Sequence, residues 1–245
     1  MILGVLLVAS AYIVGSIPTA LLLTKLFSKK DLRTFGTGAV TTSNASHAVG
    51  AWIAPIIGIL DILKGAALIW VAQAIGPEHG LGLAQQMAIG IASVVGHNWS
   101  MFLGFKGGRG LSPTIGVILA LARVELVLFI MTALLGILLS NNIPLFMGIA
   151  MVLLPVWSGT LEQPGAIITG NGILALLVFI KRFTDDGPPK QGGTMVYVYR
   201  LLFDRDTKSR EAWVNRGELA TAPAVAPIPV ALEVVPPPPP TEPTP

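Results

Sequence analysis

Long apolar runs alternate with short polar segments along the chain, over 4–23, 52–74, 82–103, 111–139, 143–158 and 165–181. Runs of this kind read as helices crossing a hydrocarbon core about 30 Å thick. The stretch 111–139 is too long for one upright helix, since about 29 residues at about 1.5 Å each exceed that core. The loop over 24–50 opens with Lys25, Lys29, Lys30 and Arg33, and the tail after residue 180 opens with Lys181 and Arg182, followed by Lys190. Both read as cytoplasmic, which places the N-terminus outside. That arrangement needs an odd number of crossings, so the long run divides near Arg123-Val124-Glu125 into a short fourth span and a fifth. The expected fold is an all-α polytopic membrane protein with about seven transmembrane helices, its C-terminus cytoplasmic.

Three features interrupt the apolar pattern. Pro18, in Gly15-Ser16-Ile17-Pro18-Thr19, removes a backbone donor and crowds the preceding turn, giving either a tolerated kink or a bend that opens a site. Asp61 and Lys64 lie three apart on one helix face, as a structural ion pair or a ligand contact. The stretch Gly96-His97 through Lys106-Gly107-Gly108-Arg109-Gly110 gathers glycines, two cations and a histidine between apolar runs. Its glycines bring N–H groups close to a ligand, and Lys106 and Arg109 supply charge for a phosphate or carboxylate. An earlier polar loop, Gly36-Thr37-Gly38 through Ser43-Asn44, reads as a plain surface turn or as hydrogen-bonding groups for a phosphate or polyol.

Composition narrows the class further. With 53% hydrophobic and 12% charged residues and a mean hydropathy of +0.72, the chain departs from soluble domains, where charged residues make up about 25%. There is no cysteine, and His47, His79 and His97 lack the close spacing of a helix-borne metal site, so no metal and no cofactor are expected. The first basic residue is Lys25, which reads as a retained first span rather than a cleaved signal. Three regions follow. Residues 1–182 form the seven-span membrane domain, 183–216 a cytoplasmic linker and short mixed-charge segment, and 217–245 a Pro-rich disordered tail. The middle region is expected to lie on the membrane through Tyr197, Tyr199, Leu201, Phe203 and Trp213, without a catalytic part.

From Gly15 to residue 182 the chain resembles the integral-membrane acyl-phosphate glycerol-3-phosphate acyltransferases of bacteria. The resemblance rests on Gly15-Ser16-Ile17-Pro18, the Gly36 to Asn44 loop, Leu60-Asp61 through Lys64-Gly65, and above all Gly96-His97 with Phe102 to Gly110. It implies a seven-span fold in the bacterial inner membrane with a site facing the cytoplasm. That site moves an acyl group from acyl phosphate to the 1-hydroxyl of glycerol 3-phosphate, yielding lysophosphatidate and phosphate. The partners implied are these two substrates and membrane lipid, with no nucleic acid. His97, Lys106 and Arg109 are the expected catalytic residues. The cations would offset charge on phosphate and on the carbonyl oxygen, and His97 would take the hydroxyl proton or hold a phosphate. Ser16, Arg33, Gly36, Thr37, Gly38, Ser43, Asn44, Gly107, Gly108 and Gly110 are the expected substrate contacts. No serine or cysteine nucleophile is set up, so direct attack without an acyl-enzyme is expected.

The chain departs from the family pattern at several polar positions. Ala39 and Thr41 replace Asn and Gly, His47 replaces an Arg, Ser100 a Pro, Arg109 a Lys and Pro144 a Ser. Near the end of the last span Leu177 and Phe179 stand about where the family carries His and Asn, and the long C-terminal segment is extra. Two alternatives follow: a phosphate-ester-binding paralogue without turnover, and an anion transporter built from broken spans.

Overall fold

The computed structural model describes residues 2–140, 142–184 and 193–207. Residues 185–192, Trp213 and the Pro-rich region 217–245 lie outside the described residues. Among those described, the chain folds into ten α-helices: α1 (Ile2–Ser16), α2 (Thr19–Ser28), α3 (Thr42–Val49), α4 (Ile53–His79), α5 (Leu83–Asn98), α6 (Leu111–Leu121), α7 (Arg123–Ser140), α8 (Ile143–Thr160), α9 (Gly165–Thr184) and α10 (Met195–Phe203).

The first apolar run breaks at Pro18. Helix α1 stops at Ser16 and α2 starts at Thr19, and the Ile17 carbonyl between them accepts from the Thr19 N–H at 3.0 Å in place of a regular helical bond. Lys64 adds a second donor. Its Nζ donates to the Ile17 carbonyl at 2.5 Å, to Thr19 Oγ1 at 3.2 Å and to Asp61 Oδ1 at 2.8 Å, so all three ammonium protons have acceptors. Thr19 in turn donates to Asp61 Oδ1 at 2.6 Å. The Asp61–Lys64 pair is therefore a clamp across a broken helix, with both side chains buried.

The long run divides where its polar residues fall: α6 ends at Leu121, Ala122 is non-helical, and α7 begins at Arg123. The break turns Glu125 into the bundle. There its Oε1 accepts from Ser158 Oγ at 3.0 Å, and that hydroxyl accepts from Asn171 Nδ2 at 2.8 Å, tying α7, α8 and α9 together.

Five stretches are long and apolar enough to cross a membrane: 2–28 (α1 with α2), most of α4, and α7, α8 and α9. The other two expected spans fall on α5, of 16 residues, and α6, of 11 residues. At about 1.5 Å per residue α6 is only ~17 Å long. No residue of α6 is exposed, so its length is set by its protein neighbours rather than by lipid. Small residues permit that enclosure. A Cβ on Gly65 or Gly116 would run into the backbone carbonyls of Pro113 and Ile62, where α4 and α6 meet, and Gly15 and Gly96 play the same part between α1 and α5. In contrast, α7 exposes Val127, Ile130, Met131, Leu134 and Leu138 along one flank.

A second, smaller core of Ala20, Leu21, Leu32, Ala45, Ile53 and Ile57 seats α2 and α3 on the start of α4. Helix α10 packs on α8 and α9, burying Val196 and Arg200 and leaving Met195, Tyr197, Val198 and Leu201 exposed. Arg200 Nε donates to Asp206 Oδ1 at 2.6 Å, and its NH1 donates to the Phe183 carbonyl.

Candidate active site

The first polar loop is shaped by Asn44, which is buried. Its Nδ2 donates to the carbonyls of Phe35 and Ala39 at 2.9 Å and approaches that of Leu32 at 3.2 Å, while Oδ1 accepts from the Thr37 N–H at 3.3 Å. Gly36 takes φ +57 against that same amide, and any side chain there would strike it. Asn44 and Gly36, expected as substrate contacts, thus belong to the loop's scaffold and line neither cavity described below. The reason is that the amide's hydrogen-bonding capacity is spent on backbone groups of its own loop. Thr41 caps α3, accepting from the Asn44 N–H at 3.3 Å, which turns Thr42 and Ser43 toward the second loop.

The second loop leaves α5 at Asn98 and is stitched to the end of α1. Tyr12 Oη donates to the Trp99 carbonyl at 2.9 Å, and Ser100 Oγ to the Ser16 carbonyl at 2.5 Å. The loop folds back on itself, with the Ser100 N–H donating to the Lys106 carbonyl at 3.2 Å and the Gly108 N–H to the His97 carbonyl at 3.0 Å. Gly110, at φ +78, lies over the buried Asn98 amide, 2.6 Å separating its would-be Cβ from Oδ1. A side chain on Gly108 would occupy the place of His97 Nε2. Ser100→Ala should lose about 1 kcal/mol through the Ser16 carbonyl. Thermal unfolding in detergent would register this as a small drop, and an unchanged midpoint would deny Ser100 that role.

The two loops meet at adjoining cavities. The first, of about 370 Å³, is lined by Ser16, Ser43, Asp61, His97, Gly107, Gly108, Arg109 and Gly110, with Thr41, Thr42 and Pro144 completing the wall. The second is a wider cleft of about 970 Å³ lined by Arg33, Thr37, Gly38, Lys106 and Gly107, together with Trp99 and Lys181. Val40, Leu103 and Gly107 are common to both, and the expected site residues other than Gly36 and Asn44 divide between the two compartments.

In the first compartment His97 Nδ1 lies 3.8 Å from Asp61 Oδ1, an electrostatic contact too long for a hydrogen bond. In the second, Lys181 is buried with its ammonium 5.5 Å from the centre of the Trp99 ring. Arg33 forks onto Asp31 at 3.0 and 2.7 Å, and Lys25 adds a contact to Asp31 at 3.2 Å. The Arg33 hydrogen bond holds the Asp31 carboxyl well below the usual carboxylate range. The favourable contact is complete above the ordinary aspartate value and is lost as pH falls through the lowered one. This pair is solvent-exposed and screened by salt.

Sequence reasoning missed the contribution of the C-terminal segment. Phe203, Asp204 and Arg205 line the first cavity. Arg109 NH1 contacts both the Asp204 carboxylate and its backbone carbonyl, and Asp204 Oδ1 also lies 3.1 Å from Arg182 Nε. The mixed charge of 194–207 is the only signal the sequence offered. Lys181 and Arg182 were legible as charges at a membrane boundary, but not as the wall of a cavity and the partner of Asp204 respectively. Among the described residues no group of three or more His, Cys, Asp or Glu side chains could hold a metal.

Comparison with known proteins places this geometry in context. Residues 5–185 match the family model described as glycerol-3-phosphate acyltransferase. Glycerol-3-phosphate acyltransferase 4 of Dehalococcoides mccartyi is 32% identical over 227 residues, an alignment covering 88% of this chain and 94% of that protein. The glycerol-3-phosphate acyltransferase of Halalkalibacterium halodurans is 33% identical, covering 71% and 86% respectively. Among solved structures, PlsY (YgiH), an integral membrane glycerol 3-phosphate acyltransferase in its glycerol 3-phosphate form, shares the fold. It is 24% identical with a TM-score of 0.65, over 80% of this chain and 98% of that one.

Proposed function

Because this chain belongs to the glycerol-3-phosphate acyltransferase family, we propose that it transfers an acyl group from acyl phosphate to the 1-hydroxyl of glycerol 3-phosphate. The supporting observation is the pair of adjoining cavities that share Gly107. One carries Arg109, His97 and Asp61, the other Arg33, Lys106 and Lys181. Two phosphate-bearing substrates need two anion positions within bonding reach of each other, and Val40, Leu103 and Gly107 alone are shared between these two.

In this reading the glycerol hydroxyl oxygen attacks the acyl carbon. The new ester bond forms as the bond from that carbon to the phosphate oxygen breaks, and phosphate leaves with the electron pair. Arg109, Lys106 and the loop N–H groups offset the charge gathering on the carbonyl oxygen and on phosphate. His97 accepts the hydroxyl proton, and Asp61 favours the imidazolium so formed. The proposed topology counts α5 and α6 as crossings, giving seven, with the N-terminus outside and the cavities facing the cytoplasm of a bacterial inner membrane.

Purified protein supplied with a long-chain acyl phosphate and labelled glycerol 3-phosphate is expected to release labelled lysophosphatidate and phosphate in equal amounts. Arg109→Ala should slow the reaction by about a hundredfold. No product at high enzyme concentration would overturn the proposal. A second reading, binding without turnover, is favoured by Pro144, which lines the first cavity without a hydroxyl and whose carbonyl accepts from Arg182 NH2 at 3.2 Å. It predicts saturable glycerol 3-phosphate binding and no lysophosphatidate.

A further inference from the structure

We propose that Asp204 is a positioning residue for Arg109, making the segment after α10 part of the acyl-transfer site; this rests on the function proposed above. Arg109 stands on a loop with Gly107, Gly108 and Gly110 around it, a backbone that does little by itself to fix a long side chain. Its guanidinium meets the Asp204 carboxylate and carbonyl together. The same carboxylate oxygen lies 3.1 Å from Arg182 Nε. Two guanidinium groups brought this close repel, and a shared carboxylate oxygen turns the repulsion into a bridge.

Asp204 is itself held. Its N–H caps α10 by donating to the Arg200 carbonyl at 3.0 Å, and its left-handed φ of 57° is one that Asp tolerates. Arg200 anchors the helix through Asp206 and the Phe183 carbonyl, and Arg182 NH1 donates to the Leu201 carbonyl at 3.0 Å. The chain therefore runs from α9 through α10 to Asp204 and on to Arg109. The family model ends at residue 185, so Asp204 lies beyond the segment it matches.

The test uses the full-length protein with Asp204→Asn, Asp204→Glu, Arg109→Ala and the double variant Asp204→Asn/Arg109→Ala. Two quantities are read: steady-state kcat and KM for each substrate, and glycerol 3-phosphate binding by calorimetry. Asp204→Asn is expected to raise KM for a phosphate-bearing substrate about tenfold with a smaller change in kcat, and to weaken binding to match if that substrate is glycerol 3-phosphate. Asp204→Glu should recover most of the loss. In the Arg109→Ala background the Asn substitution should add nothing, because Asp204 acts through Arg109.

Unchanged constants in Asp204→Asn would overturn the proposal, as would additive effects in the double variant. Faster turnover or tighter binding would also overturn it, since Asp204 would then compete with substrate for Arg109. Should the wild type bind glycerol 3-phosphate without turnover, the acyl-transfer reading fails; weaker binding in Asp204→Asn then supports the role of Asp204, and unchanged binding overturns it. A wild type that neither binds nor turns over removes both.

Discussion

Gly108→Ala should lower acyl transfer by about a hundredfold or more while leaving the protein folded in detergent. The added methyl group would stand where His97 Nε2 now lies, so the imidazole must move. It has little room: its other nitrogen faces Asp61, its side chain is 15% exposed, and its own carbonyl accepts from the Gly108 N–H. Displacement of about 1 Å in a reacting group is enough for a loss of this size. Turnover with saturating substrates checks the rate, and the thermal midpoint checks the fold. Gly107→Ala is the contrasting case, because its methyl group would meet the backbone carbonyls of His97 and Asn98 and push the whole loop outward. That variant should lose stability as well as rate. Near-normal turnover in Gly108→Ala would show that the position of His97 is not critical.

Lys64→Leu is expected to be the most destabilising single change outside the cavities, at about 3–5 kcal/mol. It strips a buried carboxylate of its counter-charge and takes from the Ile17 carbonyl the shorter of its two hydrogen bonds, leaving the Thr19 N–H at 3.0 Å. The double variant Asp61→Leu/Lys64→Leu removes both charges and should regain part of the loss. The bond from Lys64 to the Ile17 carbonyl is not restored, so recovery should stop short by about 1 kcal/mol. Unfolding in mixed detergent micelles measures both. Full recovery in the double variant would mean that Lys64 serves Asp61 alone and that the break at Pro18 needs no support.

The contrast between Lys64 and Asp204 marks the reach of sequence reasoning. The spacing of Asp61 and Lys64 announces a shared helix face, and Pro18 announces a break, because both are local consequences of helix geometry. That the lysine repairs the break is a contact across 47 positions, which periodicity does not encode. The division at Ala122 was legible through parity and the polar residues beside it, whereas the burial of α6 was not. The glycine-rich loops declared their chemistry by composition. Asn44 shows the converse, since an amide beside glycines reads as a ligand contact until its partners are counted, and all of them prove to be backbone. Asp204 lies 95 positions from Arg109, and nothing in the charge pattern of its segment singles it out from Asp206.

The enclosed α6 is also insulated from the bilayer. Leu111 and Ser112, at its start, line the first cavity, and no residue of the helix is exposed. A change in bilayer thickness or lipid composition would bear on the apolar flank of α7 and leave that wall of the cavity in place.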